Sequence, residues 1–518
     1  MARTPLANAV EEAVARIAED EARTTRRGLL QAAGAAVGGA TMLGKLAGPA
    51  WARSTKSLAA PRIVVVGAGL AGLTAAYRLK QAGYAAEVYE ASGRVGGRCW
   101  TGRGDFVDGQ IYEHGGELID SGHINIKQLA HELGLSLDNL YTSETKGTEQ
   151  LGYFFGKPYT FAQMTDDLKT IWQQVHSDVS AASYPTLYSS YTARGQELDR
   201  MTLYQWIESY VPGGHGSPLG RMLDVAYNIE YGAETTVQSS LNMLYLLGYV
   251  GPGQFRTFGK SNEKFHVHDG NDQIPQILAQ RLSSQITPNA PLTAIKRSSD
   301  GTYTLTFANG SGSFTRVADH VVLALPFSIL RDLNFSKAGF NAVKTIAINE
   351  LGMGTNAKVH VQFNSRFWRD LGCTGETYSD TGYQNTWESS RAQPGQSGML
   401  VWYTGGNPGV AVGSGTPEFQ VQTNFLPQLK LVLPGADTQE RQWNGRVIRD
   451  WWTGYPWTKG SYSYWKAGQY TRFSGAEKER SNNCHFCGEH TSQDFQGYLQ
   501  GGVETGERAA SEILADLK

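Results

Sequence analysis

Three glycines, an acid and two arginines carry the first chemical signal of this 518-residue chain. Gly67, Gly69 and Gly72 stand at G-x-G-x-x-G spacing directly after the β-branched run Ile63-Val-Val-Val66. At that spacing the first glycine allows a tight turn, and the second lets a pyrophosphate approach bare backbone. The third lets the following helix pack on the strand. The helix opening there aims free N–H groups and its positive dipole end at phosphate. Glu90 ends a second short strand, Ala86-Glu-Val-Tyr-Glu90, 18 residues after Gly72, where a carboxylate accepts from ribose hydroxyls. Strand, glycines, helix, strand and acid in that order predict a dinucleotide site, although the spacing alone does not separate NAD from FAD. Arg94-Val-Gly-Gly-Arg98 begins four residues after Glu90.

That last segment resembles the R-x-G-G-R stretch of the flavin amine oxidase superfamily. Two more segments match the family in the same order: Gly352-Met-Gly-Thr-Asn-Ala-Lys358, and Cys487-Gly-Glu-His-Thr491 with Gly497-Tyr-Leu-Gln-Gly-Gly-Val503. The resemblance runs over nearly all of residues 61–515 and implies FAD as cofactor. Under it, Gly67, Gly69, Gly72, Glu90, Arg94, Gly97 and Arg98 line the dinucleotide portion. Gly115, Gly116 and Glu117 pass beside the flavin ring, and Gly488 with Glu489 meets the ribityl–pyrophosphate portion. Gly497, Tyr498 and Leu499 open a helix aimed at the flavin N1–C2=O edge, where reduction places negative charge that a helix N-terminus stabilises. Lys358 is implied to hold a water against flavin N5, and Tyr462 and Tyr498 to form two aromatic faces that guide a neutral amine. Ser461 stands where some members carry a flavin-linking cysteine, so the FAD is expected to be non-covalent.

The resemblance departs from the family at the substrate. Snake-venom-type L-amino acid oxidases place an arginine shortly after the glycine pair, to clamp the α-carboxylate bidentately. Here Glu117-Leu-Ile119 follows Gly116. Either the carboxylate is bound from elsewhere or the substrate is an amine, which Glu117 could attract. The expectation is FAD-dependent oxidative deamination of an L-amino acid to the 2-oxo acid, with ammonia and H2O2 formed as O2 accepts the electrons. A primary-amine or polyamine oxidase is the near alternative. A dehydrogenase or desaturase that passes electrons to a carrier is the more distant one.

These residues need a large scaffold. A chain of this length exceeds one hydrophobic core, and apolar content of 40% with 61 glycines suits a loop-rich α/β or α+β enzyme. The expected fold is α/β: a discontinuous Rossmann-like FAD-binding domain from 61–121, 261–330 and 447–518. Residues 122–260 would form a helical lobe and 331–446 an α+β substrate domain. Ala357 to Phe363 alternates as a strand, Gly405 to Gly415 reads as a loop, and Ile126 to Leu135 and Leu198 to Tyr210 have helical periodicity. Formal charge is −2, without the basic footprint of a nucleic-acid partner. Cys484-His-Phe-Cys487 has no second C-x-x-C to complete a zinc site, and reads as a strand entering Gly488. A homodimer is compatible with the chain but nothing specifies one.

Residues 1–52 resemble a twin-arginine export signal: Arg26-Arg27, an uncharged stretch to Gly44, and Ala50-Trp51-Ala52 as an A-x-A cleavage site. The uncharged run is shorter than the roughly 20 residues of a spanning helix, so no stable membrane span is expected. Export of folded cargo suits a protein that must capture its cofactor first.

Overall fold

The computed structural model describes residues 60–248, 258, 261–310, 312–438 and 441–518. The expected export signal lies outside the described residues. Strand β1 (Ile63–Val66) runs through Gly67 into helix α1 (Leu70–Gln81), which returns to β2 (Ala86–Tyr89). Strand β3 (Ile286–Thr287) adds to one edge, and β4 (His320–Leu323) and β6 (Cys484–Phe486) to the other. The sheet order is β6-β4-β1-β2-β3, all parallel, with Ile63 opposite both His320 and Ala86. Near-continuous apolar runs suit strands covered on both faces, and Val65, Val88 and Val322 are fully buried. Three distant stretches of chain therefore build one sheet, whose strands end at Gly67, Glu90 and Cys487 on the same side.

Helix α3 (Leu499–Asp516) closes one face by lying along α1. Gly506 makes that approach possible, since a Cβ there would sit 2.3 Å from the carbonyl oxygen of Ala71. A four-stranded sheet, in the order 313–318, 303–308, 292–297 and 334–337, flanks this unit.

The second large sheet has seven strands in the order 443–451, 357–363, 398–404, 384–388, 373–379, 149–154 and 157–159. Its second strand, β5 (Ala357–Phe363), alternates apolar and polar residues, yet all of them are buried. Ala357, Val359, Val361 and Phe363 enter an apolar core. Lys358, His360 and Gln362 face the segment 107–117, so the polar face is covered by protein rather than water.

Three local readings change. The helical lobe expected over 122–260 does contain helices at 161–182, 193–200, 203–210, 240–247 and α2 (Pro218–Tyr231), but Glu149–Phe154 and Lys157–Tyr159 leave it to extend the seven-stranded sheet. The reason is tertiary: Leu151, Gly152 and Tyr153 pair with the strand 373–379, far along the sequence. The stretch 198–210 is two helices rather than one, because Thr202 forms a capping box with Gln205 and starts a new helix. Within Gly405–Gly415, the expected loop, Gly406–Ala411 makes a short helix.

Candidate active site

The glycine turn has the shape of a phosphate cradle. Gly67 has φ +102°, and a Cβ on Gly72 would lie 2.0 Å from the Gly67 carbonyl oxygen, so strand and helix touch through bare backbone. A Cβ on Gly69 would meet nothing within 4 Å. That glycine faces open space at the N-cap of α1, where a pyrophosphate fits. Glu90 accepts from the Ala68 N–H at 2.8 Å and from the Ser92 N–H and hydroxyl, both 2.8 Å. A carboxylate offers about four acceptor sites, so one stays available to a ribose hydroxyl at the lip of the cradle. The residues present fit a dinucleotide such as FAD.

Farther along, the Gly116 N–H donates to the Arg98 carbonyl, and a Cβ on Gly116 would collide with Leu499 at the head of α3. The predicted glycine pair, Gly97–Arg98 and the helix start are thus brought together. Tyr498 is the N-cap residue of α3 and supplies no side-chain cap to the helix amides at this end.

Two predicted ligands are engaged differently. Glu489 accepts from Arg98 Nη1 at 2.8 Å, the Ser463 N–H and hydroxyl at 3.2 and 2.8 Å, and the Gly497 N–H at 3.0 Å. Burial pushes its carboxyl up, but the Arg98 guanidinium overrides this and holds it below the usual range. With its oxygens so occupied, Glu489 anchors Arg98 and the Gly497 turn from behind. Arg94 lays its guanidinium over Trp100, 4.0 Å from the ring centre, and donates to the Tyr455 hydroxyl at 3.0 Å. It braces the loop through an aromatic stack.

Lys358 projects from β5 to the glycine-pair segment. Its Nζ donates to the carbonyls of Glu113 (2.7 Å) and Gly115 (3.2 Å) and pairs with Glu117 Oε2 at 2.6 Å. The other Glu117 oxygen accepts from Trp387 Nε1 at 3.1 Å. Both charges are buried. Desolvation raises the Glu117 carboxyl, yet the adjacent ammonium more than offsets it and keeps it ionised. Glu117 is therefore the partner of Lys358 rather than a free attractor for an amine.

The cross-strand register puts Lys358 opposite Tyr403, Tyr403 opposite Asn385 and Asn385 opposite Tyr378, one row on one face of the sheet. Trp387 and Glu376, two residues away on their strands, point to the same face. Above this row stand Tyr462 and Tyr498; a Cβ on Gly497 would touch the Tyr462 ring at 3.4 Å. The Tyr462 hydroxyl donates to the Glu230 carbonyl at 2.6 Å and pairs with the Tyr403 hydroxyl at 2.9 Å. The Tyr498 hydroxyl donates to the Glu230 carboxyl at 3.3 Å. Trp387, Tyr403, Tyr462, Tyr498 and Glu230 are each half-buried.

The surroundings of these tyrosines are acidic. Desolvation drives the Glu230 carboxyl up to about 7, with the Tyr498 hydrogen bond opposing. Glu263 is raised by burial and then by the charges of Glu376, Asp120 and Glu230; Glu376 is raised chiefly by burial. Glu230, Glu263 and Glu376 all act on Tyr378, so the three carboxyls converge. Sequence reading placed Glu230 merely in a helical region and overlooked Glu263, Glu376, Trp387 and Tyr403. Lying on four separate elements, they meet only through the fold. The signal available was the Glu230-Tyr-Gly232 helix end, where Gly232 takes the left-handed C-cap and fixes where Glu230 points.

The family model described as flavin containing amine oxidoreductase matches residues 70–514. An L-amino acid dehydrogenase of Synechocystis is 24% identical over 478 residues, spanning 88% of this chain and 95% of that protein. A probable flavin-containing monoamine oxidase A of Dictyostelium discoideum is 24% identical, covering 88% of this chain and 98% of its own. Cyclohexylamine oxidase from Brevibacterium oxydans superposes with TM-score 0.76 at 21% identity, and putrescine oxidase with 0.74 at 21%; each covers 88% of this chain and 99% of the other. The family model spans most of the chain, and the chain belongs to the flavin-containing amine oxidoreductases, enzymes that act on CH–NH2 donors with FAD.

Proposed function

We propose that the protein oxidatively deaminates a primary amine carrying a second positive charge, consuming O2 and water and releasing an oxo product, ammonia and H2O2. Bound non-covalently at the cradle, FAD supplies the hydride acceptor. The chain supplies the rest. Tyr462 and Tyr498 flank the reacting amine, and Lys358, whose three N–H groups are taken by the Glu113 and Gly115 carbonyls and by Glu117, supplies a fixed positive charge there rather than a grip on a water. The observation that carries the substrate reading is the convergence of Glu230, Glu263 and Glu376 beside the tyrosines. Three enclosed carboxyls repel one another and lose hydration, and a cation between them relieves both penalties. The second reading is the L-amino acid, and Arg391 favours it. Its charge reaches Glu263 and Glu376, and it borders a cavity of about 130 Å³ that Glu117 also lines. However, its Nη1 is held by Glu144 and its Nε by the Glu388 carbonyl.

The assay compares 1,4-diaminobutane, butylamine, L-lysine and L-phenylalanine in air, following peroxide. The diamine should exceed the monoamine at least about tenfold in kcat/KM, equivalent to about 1.4 kcal/mol. Glu230→Gln should erase most of that difference through KM while sparing butylamine. Preference for phenylalanine would return the assignment to the L-amino acid reading, and flavin reduction without peroxide would make the enzyme a dehydrogenase. Export through the twin-arginine route belongs to the same proposal. It is supported by Arg26-Arg27 and Ala50-Trp51-Ala52, and retention of an Arg26→Lys/Arg27→Lys variant in the cytoplasm would test it.

A further inference from the structure

A cluster of metal-ligating side chains lies well away from the flavin cradle. His320 opens β4, and His485 sits in the middle of β6, the adjacent edge strand. Val322 is opposite His485 in the parallel register, so residues 320, 322 and 485 share the sheet face that α3 covers. Asp516, the last residue of α3, completes the group: one ligand atom from each of the three residues lies within 4.8 Å of the others. His320 is 6% exposed and His485 fully buried. His320 Nδ1 and His485 Nε2 have no hydrogen-bond partner among the described residues. Two buried imidazole nitrogens left unsatisfied at one place are costly, and neither belongs to the amine-oxidising machinery.

We propose that His320, His485 and Asp516 form a structural site for a divalent first-row transition ion, zinc in type, which clips the C-terminus of α3 to the sheet edge. Two imidazoles and one carboxylate with an open fourth position form a zinc-type donor set. His485 Nδ1 pairs with Glu512 Oε2 at 2.7 Å, which fixes the ring and directs Nε2 at the site, the outer-shell carboxylate arrangement found behind metal-bound histidines. Glu512 and Asp516 are one helical turn apart on α3, so one helix supplies both the ligand and the support. Arg480 holds Asp516 Oδ2, leaving Oδ1 for the ion. Tetrahedral bonds of about 2.05 Å require ligand atoms about 3.3 Å apart, so binding draws the three groups together. The position also excludes a catalytic role. His320 aligns with Ile63, at the start of β1, whereas the cradle lies beyond the other end of that strand.

The test uses the full FAD-loaded chain, stripped with EDTA and then titrated with ZnCl2 against a chromophoric chelator, with bound zinc counted by elemental analysis. One zinc per chain is expected, with an apparent Tm that rises with zinc concentration by mass action. His320→Gln/His485→Gln should abolish stoichiometric binding. Because that variant alters buried positions, its flavin absorbance reports folding, and two surface-side variants keep the test decisive. Asp516→Asn and Glu512→Gln should each weaken zinc about 10–100-fold, with amine turnover unchanged. Absence of stoichiometric binding at micromolar zinc, or undiminished affinity in both surface-side variants, overturns the site.

Discussion

At the scale of single residues, the Lys358–Glu117 pair sets the strictest condition on the site. Each side chain is less than a tenth exposed, and each is the other's charge partner at 2.6 Å. Removing one leaves the other buried and uncompensated, which costs about 3–5 kcal/mol, whereas removing both together costs far less. Lys358→Met should therefore lower the denaturant midpoint of the holoenzyme sharply, and Lys358→Met/Glu117→Gln should recover most of the loss. The double variant should still lack the lysine's contribution to turnover, which separates its structural part from its chemical one. Equal destabilisation by single and double variants would show that the pair is not coupled. Lys358 could be singled out in the sequence because a family segment surrounds it. Glu117 could not be assigned as its partner, because they are 241 positions apart and only the packing of distant segments joins them.

At the scale of elements, the β1–α1 turn makes a prediction that distinguishes folding from binding. Gly72 faces backbone, with its added Cβ 2.0 Å from the Gly67 oxygen, while Gly69 faces empty space. Gly72→Ala must push α1 off β1 and should destabilise the apoprotein as well as weaken FAD. Gly69→Ala should leave apoprotein stability within about 0.5 kcal/mol, the range of a substitution that touches nothing, yet reduce FAD affinity by placing a methyl group where the pyrophosphate lies. Calorimetry of the apoproteins with flavin titration checks both. This element was legible because its determinants are local: strand, glycines and acid fall within residues 63–90. The strands at 149–159 were not, because their partner in the seven-stranded sheet begins at Cys373. The helix at Gly406–Ala411 was masked by glycines that read as loop residues, while its stability comes from packing. There Gly409 approaches the Thr355 carbonyl so closely that a Cβ would sit 2.2 Å away.

At the scale of the whole molecule, the cluster of carboxyls beside the tyrosines links substrate binding to stability through protons. Glu230 titrates near 7 in the folded chain against an ordinary value of 4.5, and Glu263 and Glu376 are raised with it. Through these carboxyls the folded state binds protons that the unfolded one has released between about pH 4.5 and 7, so their contribution to stability falls as pH rises through that window, while His490 and His360, kept neutral by burial, act in the opposite sense. For Glu230 alone the loss is on the order of 3 kcal/mol once pH exceeds 7. Carboxyls held low, such as Glu117 and Glu489, act in the opposite sense, and their contribution is lost only as acid protonates them. A ligand with two permanent positive charges should counter the neutral-pH loss because it binds the ionised carboxylates. The increase in apparent Tm given by 1,4-diguanidinobutane, charged throughout the range, should accordingly grow between pH 6 and 8 in the wild type and flatten in Glu230→Gln. A ligand-induced increase independent of pH would mean that these carboxyls do not face the bound cation, and the dicationic substrate reading would fall while the amine oxidoreductase assignment stood.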